Sequence, residues 1–169
     1  RPLVKYTPGF DRSDTPPSQE KRDLIAKMKL IPIPEIIQGK RMVFCDDSIV
    51  RGTQLKNYTI QKLRQHGARE IHLRIACPPL MFPCKFNYST RSIHELAARK
   101  AIKALEGSDI KNVKKYLDEN SKEYKKMVKW IEKDLGATTL TFQKLEDMIK
   151  AIGLPKDKLC LYCWTGRHP

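Results

Sequence analysis

The sequence predicts an α/β fold built on parallel strands, and two adjoining stretches of the chain indicate it. A short apolar run at residues 40–45 leads through a glycine-containing turn into residues 54–65, where apolar side chains recur at helical spacing. Gly67 is placed to end that helix, and residues 70–76 then alternate polar and apolar before Pro78-Pro79. Strand, helix and strand in this order form a βαβ unit, which requires parallel strands joined by a right-handed crossover.

The elements on either side of this unit follow from local composition. Residues 6–19 are rich in proline and small polar residues and predict a loop, and residues 21–30 predict a short helix that ends before Pro32. Downstream, residues 92–105 predict an amphipathic helix, and residues 110–135 predict two helices divided at Asn120-Ser121. A strand at 138–142 and a helix at 143–152, stopped by Gly153, complete a helical carboxy-terminal region.

Size and charge restrict the classes of function. The 169 residues are 40% hydrophobic, which suits one globular core, and 33 basic against 19 acidic residues leave a net charge of +14 that attracts anions. No apolar run reaches the roughly 18 residues that a membrane span needs, and no secretory signal opens the sequence. We therefore expect a cytoplasmic protein with no membrane partner.

The residues between the first predicted strand and its helix carry the clearest chemical pattern, Asp46-Asp47-Ser48 followed by Gly52-Thr53. A helix amino terminus offers unpaired N–H groups to a phosphate, and hydroxyls of serine and threonine add donors. Carboxylates repel phosphate but accept hydrogen bonds from neighbouring hydroxyls, such as those of a ribose diol. The pattern indicates a sugar-phosphate site; a solvated acidic turn that caps the helix is the alternative.

The stretch VFCDDSIVRGTQ resembles the phosphoribosyl-diphosphate (PRPP) motif of type I phosphoribosyltransferases, and its central triplet Ile49-Val50-Arg51 resembles the amidophosphoribosyltransferase version. The resemblance implies a type I phosphoribosyltransferase sheet that here lacks its first strands. It implies that Asp46 and Asp47 contact the ribose hydroxyls, close to a Mg²⁺ ion carried by PRPP. The remaining loop residues, Ser48, Ile49, Val50, Arg51, Gly52 and Thr53, would hold the 5-phosphate.

Upstream, the segment Lys27 to Leu30 resembles the basic stretch that precedes this strand in the family, and residues 5–19 occupy the place of a flexible loop that closes over PRPP. The resemblance implies catalytic roles for Arg12 and Lys29, with Lys5 and Arg12 near the diphosphate. Extra Asp and Pro residues at 11–17 depart from the familiar loop. A plain surface connection is the alternative.

The five cysteines are an odd number in a chain without a secretory signal, which argues against a disulfide framework. Cys160 and Cys163 form a Cys-x-x-Cys pair that could chelate a metal with Cys84, serve as a redox pair or lie buried as thiols. Some amidophosphoribosyltransferases hold a [4Fe–4S] cluster at matching positions, so the resemblance implies cluster ligands Cys84, Cys160 and Cys163, with a fourth outside this sequence. Cys45 is expected to pack in the core.

The resemblance implies a glycosyltransferase of de novo purine (IMP) biosynthesis, which forms 5-phosphoribosylamine from PRPP and glutamine-derived ammonia as a homo-oligomer. We expect a loop region at 1–31, a PRPP-binding core at 32–107 and a helical region at 108–169, with the family's preceding glutaminase domain absent and isolated activity open. A PRPP-sensing regulator that binds nucleic acid is the alternative, although no DNA-binding motif is evident. A salvage phosphoribosyltransferase would leave the cysteine pattern unexplained. Nucleic acid is not expected as a partner.

Overall fold

The computed structural model of the chain describes residues 1–5, 30–86 and 92–167. They fall into two compact units, one made of residues 1–42 and 53–71 and the other of residues 43–52 and 72–169. The division expected from the sequence, at residues 31 and 107, stays a prediction.

A small antiparallel pair of strands opens the first unit. Strand β1 (Leu3–Lys5) pairs with β2 (Leu30–Pro32), so that Lys5 lies opposite Leu30. Leu30 is therefore in a strand, whereas the sequence predicted the end of a helix there; the rest of that predicted helix, at 21–29, lies outside the described residues. The short helix α1 (Pro34–Ile37) follows, with its proline in the first turn, where no amide is needed.

The helix predicted at 54–65 is confirmed. It contains a π-helical turn (Leu55–Ile60) and continues as α2 (Gln61–Gln65), burying Ile60 and Leu63. Gly67 follows with a φ of +80°, as its predicted position after the helix end requires. Its carbonyl accepts the Gly39 amide at 2.8 Å, which joins the turn after this helix to the turn after α1.

The central sheet has three strands in the order β3-β4-β5, formed by β3 (Arg41–Asp46), β4 (Glu70–Ile75) and β5 (Thr139–Phe142). Strands β4 and β5 run parallel, with His72 opposite Thr139. The predicted α/β class and all three predicted strands are confirmed. Every second residue of β4 is buried, which fixes its register because a shift of one residue would expose all of them: Ile71, Leu73 and Ile75.

Helices of the second unit are α3 (Ala97–Glu106), α4 (Lys122–Leu135), α5 (Leu145–Ile152) and α6 (Tyr162–Thr165). Single 3₁₀ turns lie at Ile93–Glu95, Lys114–Tyr116 and Lys156–Lys158. The helix predicted at 92–105 starts later, at Ala97, because the fully buried Leu96 before it is extended. The first of the two helices predicted within 110–135 is wrong, since only a 3₁₀ turn forms there; the second is confirmed, with the Ser121 hydroxyl accepting the Tyr124 amide at 3.0 Å.

Helices α3 and α4 pack together and bury Ile102, Met127 and Ile131 almost completely. Each such aliphatic side chain contributes about 1.5–3 kcal/mol by leaving water. The buried Glu132 is not left unpaired, because its carboxylate accepts the Leu140 amide at 3.2 Å and an ion pair from Lys129. Glu132 thus ties α4 to β5. In the described parts of the chain no helix has the length and apolar character that crossing a membrane demands.

Candidate functional site

The acidic pair lies where β3 ends. The carbonyl of Asp46 accepts the Ala76 amide at 2.9 Å, and this bond fixes the last residue of β3 against the end of β4. Each carboxylate then accepts the amide of the next residue, Asp47 N–H on Asp46 at 3.0 Å and Ser48 N–H on Asp47 at 2.7 Å. Both aspartates remain exposed to solvent. Their local bonds hold the turn in shape while a ligand can still reach them.

Two aspartates in sequence at this turn influence each other's ionisation. Desolvation by the surrounding protein raises the pKa of Asp46, and the negative charge of Asp47 raises it further, while the Asp47 amide opposes both effects. A carboxylate in this state gains from any partner that donates hydrogen bonds or brings positive charge. Sugar hydroxyls and a metal-bound phosphate group are both partners of that kind.

The glycine loop, residues 48–52, is anchored in the second unit. Ile49 is buried, and the Val50 carbonyl accepts the Ala97 amide at 2.8 Å, the first amide of α3. Gly52 has a φ of +77°, and a side-chain carbon there would lie 3.1 Å from Leu135. Only glycine adopts this backbone conformation without strain. The loop is therefore held from both α3 and α4.

Arg51, within the glycine loop, turns its guanidinium toward Glu95. Its Nε donates to Oε2 of Glu95 at 2.7 Å, and its Nη2 lies 2.6 Å from the same oxygen. Both side chains are about half exposed. The pair gives the loop a second attachment beside the Val50–Ala97 bond. Sequence analysis did not single out Glu95, because its partner lies 44 residues away.

The structure brings Asp46, Asp47 and residues 48–52 together within one unit, and Thr53 follows as the first helical residue. Arg12 and Lys29, predicted as catalytic, lie outside the described residues, as does the predicted loop at 6–19. The expectation that Cys45 packs in the core is wrong. It is exposed and lines a cavity of about 530 Å³ with residues of β4 and α5, because alternation along β3 turns it to the opposite side from Met42.

The three predicted cluster cysteines approach one another in the second unit. The Cys163 thiol forms a hydrogen bond with Cys84 and also interacts electrostatically with Cys160. Burial raises the pKa of Cys163 to about 11, and the two neighbouring thiols raise it in the same direction. Three thiols that would repel one another as thiolates suit a soft cation such as iron or zinc, which neutralises them.

The three cysteines do not have the arrangement of a metal site among the described residues. Within residues 1–5, 30–86 and 92–167, no three Cys, His, Asp or Glu side chains are arranged as metal ligands. Cys84 and Cys163 are half-buried and Cys160 is exposed. The donor chemistry of three thiols fits a thiolate-bound metal, although these described residues are not arranged as metal ligands.

Backbone bonds bring the cysteines together by docking α6 on the segment after β4. The Cys163 carbonyl accepts the amides of Met81 and Phe82 at 2.8 and 3.0 Å, and the Trp164 indole donates to the Pro78 carbonyl at 3.1 Å. Gly166 packs so closely on the Phe82 ring that a side-chain carbon there would lie 2.8 Å away. The indole contact was missed in the sequence, although Trp164 directly follows the Cys-x-x-Cys pair.

Comparison with known proteins identifies relatives of the chain. No family model matches the chain. It is 35% identical over 153 residues to the amidophosphoribosyltransferase of Methanocaldococcus jannaschii and 37% identical to that of Mycobacterium leprae, each match covering 90% of the chain. These matches cover 26% and 24% of the two relatives, so the chain spans about a quarter of the length of the curated relatives it matches.

A solved structure shows the same fold. The glutamine PRPP amidotransferase from B. subtilis, complexed with ADP and GMP, superposes with a TM-score of 0.65 at 32% identity, covering 99% of this chain and 32% of that one. The two relatives and the solved structure are all named as enzymes. By sequence and by fold, the chain is similar to part of the amidophosphoribosyltransferases.

Proposed function

We propose that this chain is the PRPP-binding part of an amidophosphoribosyltransferase, the enzyme that displaces diphosphate from PRPP with glutamine-derived ammonia and forms 5-phosphoribosylamine in purine biosynthesis. The observation that carries the proposal is the turn at the end of β3, where two exposed carboxylates precede an anchored glycine loop and a helix start. This arrangement fits one ligand that carries a diol beside a phosphate.

Within this proposal the acidic pair and the loop have separate tasks. Asp46 and Asp47 accept hydrogen bonds from the ribose hydroxyls, and residues 48–53 hold the 5-phosphate with amides and hydroxyls. Asp46 and Asp47 would lie near the Mg²⁺ that PRPP carries, and that ion would supply the positive charge that neutralises the diphosphate leaving group. The residues fit the ion, because a carboxylate whose pKa is raised by its surroundings and by a neighbouring aspartate is stabilised by positive charge.

Lys5 and Arg12 are proposed as cations near the diphosphate, and Arg12 and Lys29 as catalytic residues, on the strength of the sequence resemblance alone. We expect Arg12→Gln and Lys29→Gln each to lower turnover far more than stability, because the role proposed for both residues is toward the substrate. Steady-state kinetics of the intact enzyme, compared with its melting temperature, measure both. A cytoplasmic location and a homo-oligomeric intact enzyme belong to the same proposal.

The cysteines are proposed as ligands of a [4Fe–4S] cluster, with Cys84, Cys160 and Cys163 binding three irons and the fourth ligand outside this sequence. When bound, the cluster would join α6 to the segment after β4. The contact between the Cys163 and Cys84 thiols and the charge interaction with Cys160 support this assignment.

The PRPP site is tested by isothermal titration of PRPP with Mg²⁺ into the chain and into the Asp46→Asn, Asp47→Asn double variant. We expect saturable binding that the double variant loses. The matched control is Asp147→Asn, Asp157→Asn, which changes the net charge equally at two exposed positions outside the site. Equal binding by both double variants would refute a specific role for the acidic pair.

The cluster is tested by anaerobic reconstitution with iron and sulfide, followed by iron analysis and visible absorption. We expect the wild-type chain to take up iron and the triple variant Cys84→Ser, Cys160→Ser, Cys163→Ser to lose that uptake. Cys45→Ser is the matched control, because Cys45 is also an exposed thiol but lies outside the trio. Undiminished iron in the triple variant would exclude these residues as ligands.

A further inference from the structure

Trp164 contacts the segment that supports the acidic pair. Its indole N–H donates to the Pro78 carbonyl at 3.1 Å across 86 residues of sequence, and the same side chain interacts with the Cys77 thiol and lowers its pKa, while burial raises that pKa more. Pro78 has no amide, so this carbonyl is its one backbone hydrogen-bonding group. The indole therefore bonds Pro78 and interacts with the residue before it, just after β4.

The segment that Trp164 contacts, residues 76–78, is bonded directly to the acidic pair. Ala76, the residue before Cys77, donates its amide to the Asp46 carbonyl at 2.9 Å. Cys77 is buried, and its thiol is near enough to Asp46 and Asp47 to interact with their charges. A displacement of residues 76–78 would therefore move the end of β3 from which both carboxylates project.

Trp164 is itself held in place by the docking of α6. The Cys163 carbonyl accepts two amides from the segment after β4, and Gly166 packs on the Phe82 ring with a φ of +71°. Trp164 is thus held by the backbone contacts of its neighbours, and its indole is bonded to Pro78. A group with so little freedom can hold a neighbouring segment in one position.

We propose that Trp164 is a positioning residue for the acidic pair: it acts through Pro78, Cys77 and Ala76 to hold Asp46 and Asp47 in the geometry that a ribose diol requires. The role in diol binding rests on the proposed function. The link between Trp164 and residues 76–78 does not rest on that function, because its contacts are present in the chain without a ligand.

The link is tested first by hydrogen–deuterium exchange of the full chain, in peptides that cover residues 43–48 and 74–80. Trp164→Phe keeps an aromatic ring and removes the N–H. We expect faster exchange in these two peptides and unchanged exchange in α3 and α4. Trp130→Phe, at the other tryptophan of the chain, is the control and leaves both peptides unchanged. Unchanged exchange at 43–48 in a folded Trp164→Phe variant overturns the inference.

Cys77→Ala provides a second test if Trp164→Phe fails to fold. It removes the buried thiol that interacts with the indole and leaves the indole–Pro78 bond, so we expect a smaller rise of exchange in the same two peptides. The absence of any rise there overturns the inference as well. A rise of exchange confined to these two peptides indicates positioning, because a general loss of stability would raise exchange throughout the chain.

PRPP titration then connects the link to function. We expect Trp164→Phe to weaken PRPP binding by about fivefold, the loss of one hydrogen bond in a partly buried setting, while Trp130→Phe binds as wild type does. If Trp164→Phe shows faster exchange but binds PRPP as tightly as the wild-type chain does, the positioning role is overturned. If the wild-type chain does not bind PRPP, that result counts against the proposed function. The hydrogen–deuterium exchange experiment then still tests the link between Trp164 and residues 76–78.

Discussion

The acidic turn and the cysteine group are built in opposite ways. Asp46, Asp47 and Ser48 are held by bonds between adjacent residues, at the end of a strand that the sequence already predicts. The cysteines meet only because α6 docks on residues 78–82, roughly 80 residues earlier in the chain. A local site survives small changes elsewhere, whereas a site assembled by docking depends on every contact that holds the docked segment.

The largest expected effect tests that dependence at Gly166. Gly166→Ala combines a positive φ with a side-chain carbon 2.8 Å from the Phe82 ring, which is rigid. We expect the free energy of unfolding to fall by about 2–4 kcal/mol, from backbone strain and overpacking together. Chemical denaturation measures it. Gly153→Ala is the control, since its φ is +76° with no atom within 4 Å, and only strain should appear.

Gly52 gives the corresponding test of the glycine loop. Its φ is +77°, but the atom that an added carbon would meet, at 3.1 Å, is the terminal Cδ2 of Leu135. A flexible side chain yields more easily than a ring, so we expect Gly52→Ala to lower the free energy of unfolding by about 2 kcal/mol, less than Gly166→Ala. An equal or larger loss at Gly52 in the same denaturation series would remove the contrast between the two regions.

Asp46 should show a conflict between stability and ligand binding. Its raised pKa means that folding favours the protonated form, so the ionised form present at neutral pH lowers stability. We expect Asp46→Asn to raise the free energy of unfolding slightly at pH 7, by less than about 1 kcal/mol for a group so accessible to water, and to lose PRPP binding.

The pH dependence fixes the sign of this effect. As the pH falls through the raised pKa, wild-type Asp46 takes up a proton and the advantage of asparagine disappears. Thermal melts of both proteins from pH 7 down to pH 3 measure it. An advantage that grows toward low pH would mean that the carboxylate is stabilised, not destabilised, by its surroundings.

The smallest expected effect concerns the ion pair of Arg51 with Glu95. Because both side chains are about half exposed, Glu95→Gln should change the free energy of unfolding by less than about 0.5 kcal/mol. If the pair orients the loop, PRPP affinity falls in Glu95→Gln. If Arg51 instead leaves Glu95 to bind phosphate, affinity stays equal or rises. Titration calorimetry of Glu95→Gln separates these two roles of Arg51.

Sequence alone was sufficient for the local features. The strand at 41–46, the helix that follows, Gly67 and the acidic turn depend on neighbouring residues, and the pattern of apolar and turn residues predicts them. Element starts were less predictable: α3 begins at Ala97 because its first amide bonds Val50, a partner 47 positions earlier. Glu95, the Trp164 indole and the exposure of Cys45 likewise depend on tertiary neighbours, which no local pattern contains.

The bond between Trp164 and Pro78 also sets an order of events during synthesis. Residues 46–78 leave the ribosome well before residues 161–166, so the acidic turn forms at first without its brace. A nascent chain that stops between these points contains the acidic pair but not the indole that bonds Pro78. The bond between Trp164 and Pro78 can therefore form only after the cysteine pair has been translated.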